Sequence, residues 1–468
     1  MSESKAAKKK GFKLPDTYVL ITIMLFVMAI LTYIIPAGKY DEYVDEATGK
    51  TVIDATSFHY VERTPVGPIT FLKSIQKGLE KNYSMILQVI MIGAYFGIVN
   101  DTGAMSRGIS KALSKLKDNA LLGIPPVMLF FGILGSTAVV VNAIVAFIPV
   151  GLVLAKQMKM DRIAAMAIIY TACFAGWGTS FMGVGSVQLA QRMAGIPLLS
   201  GVEFRIVVTI VVEIVTIIYV MRYCKMITKD PTKSILWGDP SYEISDGETT
   251  EDIEFSKKDA LILALTFGGL AVYVGGAILK SWGADWMCAI MLFTSVASGL
   301  ISGMTPDEVS KSLIKGAKGM SYGALLIGWA SAIAVLMTEG QIIHTVIYAM
   351  SLPLSAMPTT MAAVMMFLIN SVFNFFVSSA SGQAAIVMPI MAPLADVVGV
   401  TRQVAVLAYQ YGDGLSNTII PTSGVLMGAL GIAGIPFAKW LKFQVPIFLI
   451  WTVICAIAIV VAVMIGLS

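Results

Sequence analysis

The chain has 468 residues, 57% of them hydrophobic and 13% charged, whereas a soluble globular chain is roughly 45–50% apolar and about 25% charged. That balance excludes a soluble globular protein and describes a polytopic membrane protein. The net charge of +4 is too small to imply a nucleic-acid partner, and the four scattered cysteines (Cys173, Cys224, Cys288, Cys455) have no metal or redox spacing.

Residues 1–17 form a basic tail carrying Lys5, Lys8, Lys9, Lys10 and Lys13, and an apolar run from Tyr18 to Ile35 follows it. The run is long for a signal-peptide core, and Pro36-Ala-Gly-Lys-Tyr40 is not a small-residue cleavage site. It predicts a retained first span with the N-terminus in the cytoplasm. Further spans of about 20 apolar residues are predicted at about 84–100, 203–222, 258–280, 285–303, 320–337 and 443–466. The regions at about 120–155 and 359–395 are too long for one span. Each has small polar residues near its middle, Gly135-Ser136-Thr137 (with Asn142 beyond them) and Ser378-Ser379-Ala380-Ser381-Gly382. Each predicts a re-entrant helical hairpin, because a polar turn survives at membrane depth only inside protein or beside a water-filled cavity. Two short full spans are the alternative. The regions at about 163–195 and 403–434 are too rich in Gly, Ser, Thr and Pro for simple helices. They predict broken helices, unwound at Gly176-Trp177-Gly178-Thr179-Ser180 and at Gly412-Asp413-Gly414-Leu415-Ser416-Asn417-Thr418. Between the halves, 223–257 is polar and ends in an acidic run over 247–254, which reads as a solvated cytoplasmic linker.

The chain is one unit written twice. Lys73-Ser-Ile-Gln-Lys-Gly78 returns as Lys311-Ser-Leu-Ile-Lys-Gly316 (316 − 78 = 238), Arg162 as Arg402 (402 − 162 = 240), and Gly-Ile-Pro197 as Gly-Ile-Pro436 (436 − 197 = 239). The repeats are 18–222 and 258–468. The loop after the second span carries Arg107, Lys111, Lys115 and Lys117, while its counterpart, about 338–358, has no Lys or Arg. The positive-inside rule therefore places the two loops on opposite sides. The extra span at about 285–303 inverts everything after it. The expectation is an all-α polytopic protein of two inverted repeats, its C-terminus outside. The segment Lys73–Lys81 then lies outside, against the charge rule, and reads as an amphipathic helix along the membrane face.

Inverted symmetry would gather both tips and both breaks near the midplane. The candidate substrate and ion residues there are Gly135, Ser136, Thr137, Asn142, Gly178, Thr179, Ser180, Ser378, Ser379, Ser381, Asp413, Ser416, Asn417 and Thr418. Unwound backbone offers carbonyls to Na⁺ and N–H groups to a carboxylate, which makes Thr179, Asn417 and Thr418 candidate Na⁺ positions, with Na⁺ or H⁺ as coupling ion. Plain kinks and close helix contacts are the alternative. An acid at the bilayer centre costs at least ~2.5 kcal/mol and usually faces a cavity. Asp413 is such an acid, while its repeat partner is Phe174 (413 − 174 = 239). It could meet a substrate ammonium, a cation or a proton, or cap a half-helix starting near Ser416. No Lys or Arg lies in the four clusters, and Asp413 is the one charge expected to be buried. That favours a substrate with an amino or guanidinium group beside its carboxylate over a dicarboxylate. Arg162 and Arg402, at the starts of the broken helices, read as interface anchors. No HExxH, GxSxG or phosphate-binding loop is present, so the chain is not expected to be an enzyme.

Gly412–Thr418, the following Pro421-Thr422-Ser423-Gly424 and Gly431-Ile-Ala-Gly-Ile-Pro436 resemble the YfcC-like group of the anaerobic C4-dicarboxylate carrier family, within the ion transporter superfamily. The resemblance covers nearly the whole chain, including Tyr95–Gly103 and Lys311–Gly316. Ser416-Asn417-Thr418 also resembles the Ser-Asn-Thr signature of the superfamily's sodium–dicarboxylate carriers, which binds ion and substrate carboxylate; the other three clusters depart from it. The resemblance adds Thr422 and Ser423 to the candidate site. It implies an elevator-type carrier fold and a homodimer in the cytoplasmic membrane of a prokaryote. The implied function is secondary transport or exchange of small carboxylate-bearing metabolites. YfcC-like members are associated with arginine and ornithine, other members with succinate- or fumarate-like C4-dicarboxylates. An ion channel or passive scaffold is the reading outside the family.

Overall fold

The computed structural model describes all residues except 1–16, 46–49, 55–56, 106, 109–110, 112–120, 139, 243, 245–254 and 281. The lysines of the basic tail, Lys115, Lys117 and the whole acidic run therefore lie outside the described residues.

The first half opens with α1 (Thr17–Ile34) and two small antiparallel sheets. One pairs β1 (Gly38–Lys39) with β4 (His59–Tyr60), the other β2 (Glu42–Asp45) with β3 (Lys50–Ile53). These strands correct the all-α expectation. The segment is too polar to span, and β-branched Val44, Thr51, Val52 and Ile53 suit strand pairing. Next come α2 (Pro68–Lys81), α3 (Tyr83–Asp101), α4 (Ile124–Ser136) and α5 (Ile148–Gln157). Helix α6 (Arg162–Met166) runs through a π-helical turn, Ala167–Thr171, into α7 (Ala172–Gly178). A second π-helical turn, Val184–Gln188, opens α8 (Leu189–Met193), and α9 (Val202–Lys229) ends the half.

The second half comprises α10 (Lys257–Lys280), α11 (Ala284–Ser302), α12 (Pro306–Gly319), α13 (Ser321–Glu339) and α14 (Ile343–Ser351). It continues with α15 (Thr359–Asn374), α16 (Ala380–Val397), α17 (Arg402–Ser416), α18 (Gly424–Ala433) and α19 (Phe437–Met464). Among the described residues, Tyr83–Asp101, Val202–Lys229, Asp285–Ser302, Pro306–Glu339 and Phe437–Met464 are long and apolar enough to cross a membrane.

Element lengths follow the sequence repeat: α2 and α12 have 14 residues each, α3 and α13 have 19, α9 and α19 have 28. Packing between the halves is reciprocal. Gly78 of α2 lies against Gly328 and Ala332 of α13, where a Cβ would come within 2.9 Å of the Ala332 nitrogen. Gly316 of α12 lies against Gly93 and Gly97 of α3, with 3.0 Å left to the Gly97 Cα. Small residues let helix backbones approach this closely in a membrane protein. Arg162 donates to the Ala433 carbonyl at 2.9 Å, and Arg402 donates to the Ala194 carbonyl at 2.8 Å. Each arginine thus satisfies the end of the other half's short helix, just before Gly434 or Gly195 takes a positive φ. That is a more specific role than interface anchoring. The Trp451 indole donates to Thr216 Oγ1 at 2.9 Å, while the Tyr219 hydroxyl donates to the Phe443 carbonyl at 2.7 Å. Rising numbers on α9 thus meet falling numbers on α19, so these two counterparts run in opposite directions.

The linker is less free than expected. Ser234 and Tyr223 both donate to Asp161 Oδ2 at 2.5 Å, and Lys439 pairs with Asp239 at 3.5 Å.

Candidate substrate and ion site

Both expected hairpins and both expected broken helices are interrupted at small or polar residues. Helix α4 stops at Ser136 and α15 at Asn374, each followed by a turn. The helix breaks fall later than the sequence suggested. Helix α7 ends at Gly178 and α17 at Ser416, so Gly412, Asp413 and Gly414 lie in intact helix. Their glycines serve close packing instead. A Cβ on Gly412 would stand 2.5 Å from Asn370 Cβ, and a Cβ on Gly414 would overlap the Gly178 Cα. The two broken helices therefore cross at Gly178 and Gly414.

Each tip is tied to the break of its own half. Ser180 donates to the Ser136 carbonyl at 2.7 Å, and Ser378 donates to the Thr422 carbonyl at 2.8 Å. The donor sits on the break in the first half and on the tip in the second.

A cavity of about 360 Å³ opens where these turns meet, within the range of roughly 300–1,000 Å³ common for small-molecule sites. Among the predicted residues, Asn142, Ser378, Ser379, Ser381, Asn417, Thr422 and Ser423 line it. Gly135, Ser136, Thr137, Gly178, Thr179, Ser180, Asp413, Ser416 and Thr418 do not, and they form the layer that shapes it. Gly135 packs on the Cys173 carbonyl, Thr137 bonds back to the Leu134 carbonyl, and Ser416 accepts from Asn374 at 2.8 Å. Helices α16 and α18 both begin at the wall, capped by Ser379 and Ser423. Asn417, just past the end of α17, lies on the same cavity.

Asp413 departs from expectation. It is fully buried and does not line the cavity, and its carboxylate oxygens have no hydrogen-bond partner among the described residues. Its carbonyl accepts from Asn374 and Asn417. It caps no half-helix, since α18 starts at Gly424 under the Ser423 hydroxyl. The candidate Na⁺ carbonyls are also engaged: Thr179 accepts from Thr209, Asn417 from Tyr170 and Thr418 from the Trp440 indole.

Sequence reasoning missed two groups. Phe174 and Trp177, in edge contact at 5.2 Å, line the cavity with Asn82 and Ser331, themselves bonded at 2.7 Å. The aromatics looked like ordinary span residues. The second group is Arg205 and Glu213 on α9, buried at 0% and 5% exposure with no hydrogen-bond partner for either charged group among the described residues. Asp413 is therefore not the one buried charge. The available signal was a charge within an apolar span.

Several apolar helices long enough to cross a membrane, with a partly polar cavity among the helices, are the features of a membrane transporter. The chain belongs to the C4-dicarboxylate anaerobic carrier family, whose DcuC model matches residues 14–464. It is 31% identical over 480 residues, covering 94% of both chains, to the Escherichia coli K12 protein named "Putative basic amino acid antiporter YfcC". It is 26% identical over 485 residues to an uncharacterized Haemophilus influenzae Rd protein, covering 94% of this chain and 95% of that one. Among solved structures it is similar to the Alcanivorax borkumensis YdaH transporter (TM-score 0.42, 16% identity, 97% and 99% coverage). It is also similar to Neisseria gonorrhoeae MtrF, of a class of antimetabolite efflux pumps (TM-score 0.41, 14% identity, 96% and 96% coverage).

Proposed function

We propose that the chain is a secondary active transporter or exchanger of small carboxylate-bearing metabolites, with amino acids of the arginine/ornithine type as substrates. The carrying observation is the lining of the cavity, which combines two chemically different sets of groups and, among the described residues, includes no Lys, Arg, Asp or Glu. The N-termini of α16 and α18, with Ser378, Ser379, Ser381, Thr422 and Ser423, offer N–H and hydroxyl groups suited to a carboxylate. Phe174, Trp177 and Asn417, just past the end of α17, offer aromatic rings and a helix C-terminus suited to a cation. The basic amino acid named for the Escherichia coli relative agrees with this division. A C4-dicarboxylate would bring a second anion to a lining with no basic side chain among the described residues to receive it.

The reading includes two inverted repeats, 18–222 and 258–468, working by an elevator movement in a homodimer of the cytoplasmic membrane. Reciprocal glycine and arginine contacts, and the opposed directions of α9 and α19, support the inversion. Sodium at Thr179, Asn417 and Thr418 would have to use the second lone pair of carbonyls that already accept a bond.

Purified protein in liposomes loaded with ornithine should take up labelled arginine, and unloaded liposomes should take up far less unless an ion gradient is supplied. Competition by succinate or fumarate but not by arginine would move the assignment to a dicarboxylate carrier. Flux that neither saturates nor exchanges would indicate a channel.

A further inference from the structure

We propose that Glu213 is a proton-carrying site that couples transport to the proton gradient. It sits on α9, away from the substrate cavity, and its carboxyl group lies in the seam between hairpin arm α4 and broken helix α7. A Cβ added to Gly132 of α4 would stand 2.8 Å from Oε2, and one added to Gly176 of α7 would stand 3.0 Å from Oε1. Glycine at both positions leaves just the room that the carboxyl group fills.

The second half lacks the arrangement. Matched over their 28 residues, α9 and α19 are related by an offset of 235 (437 − 202 = 235), which places Phe448 opposite Glu213 (448 − 213 = 235). The acid is a phenylalanine in the other copy. Helix packing therefore does not require an acid here, and an unpaired acid inside a membrane protein is costly to keep.

The Gly176 backbone of α7 lies against it, and Cys173 of the same helix is a titratable side chain within its electrostatic reach. Arg205 is eight residues earlier on the same helix, about 12 Å along the axis. Three residues further along α9, Thr216 accepts from the Trp451 indole of α19. A seam this tight, without a counter-charge, admits a proton and no larger cation. The Ser180–Ser136 hydrogen bond holds the α4 tip to the break after α7, so parting these elements uncovers the carboxyl group. A carboxylate oxygen then forms an O–H bond with a proton from water on one side, and that bond breaks to water on the other.

Infrared difference spectra of the purified full chain, recorded across an acid-to-alkaline step, test this without any substrate. A protonated-carboxyl band should change in the wild type, persist in Asp413→Asn and vanish in Glu213→Gln. Its survival in Glu213→Gln overturns the proposal. If the Gln variant does not fold, Glu213→Asp decides alone: a shifted band supports the site and an unshifted band overturns it. In liposomes with a trapped pH dye, arginine-driven proton movement should fall at least about tenfold in Glu213→Gln while arginine–ornithine exchange persists. Wild-type exchange without proton movement, or loss of both in a folded Glu213→Gln, overturns the coupling role. Absence of arginine transport in the wild type would instead defeat the substrate reading and leave the infrared result standing.

Discussion

Gly414 has no room for a methyl group, because the Gly178 Cα occupies the space a Cβ would need. Backbone on both sides prevents the easy relief that a flexible side chain gives. Gly414→Ala should therefore cost about 1–3 kcal/mol of stability and displace the crossing that sets the depth of both breaks. A lowered melting temperature and weakened arginine exchange are expected. Gly275→Ala, where a Cβ meets nothing within 4 Å, should change neither. At this scale the sequence misleads in an instructive way. Gly-Asp-Gly looks like a place where a helix unwinds, since glycine frees the backbone. Burial in a tight crossing selects the same residues for the opposite reason, and α17 runs unbroken to Ser416. Phe174 and Trp177 were illegible for a related reason: an aromatic in an apolar run carries no sign of whether it faces lipid, core or cavity.

The two tip-to-break hydrogen bonds are the element-scale counterpart of the sequence repeat. Each joins a hairpin to the broken helix of its own half, and each spans 44 residues. A single buried bond of this kind contributes about 0.5–1.5 kcal/mol. Ser180→Ala and Ser378→Ala should each lower thermal stability by about that amount, and the two losses should add if the halves close independently. Because Ser378 also lines the cavity and Ser180 does not, Ser378→Ala should additionally raise the arginine concentration needed for half-maximal exchange. Equal effects of both variants on that concentration would refute the separation. Helix positions were legible at this scale because hydropathy and length are local properties: the helix expected over about 258–280 is α10, which runs from Lys257 to Lys280. The small sheets over 38–60 were not legible, since short polar strands carry little periodicity.

For the whole molecule, the decisive relation is between helices that match in sequence. Thr216 and Trp451 are themselves counterparts (451 − 216 = 235), and they bond to each other. If the proposed repeats are related by a two-fold axis, a contact between counterparts places that axis through the contact. Antiparallel packing of α9 and α19 would then make the axis run across those helices rather than along them. If both helices cross the bilayer, counterparts elsewhere must face opposite compartments. Lys77 of α2 and Lys315 of α12 (315 − 77 = 238) are suited to test this, being 47% and 78% exposed with only surface ion pairs to lose. In a cysteine-free background, Lys77→Cys should react with a membrane-impermeant maleimide applied to intact cells. Lys315→Cys should react only after permeabilisation, if the positive-inside rule places Lys311–Lys318 in the cytoplasm. Labelling of both from the same side would rule out the inverted arrangement.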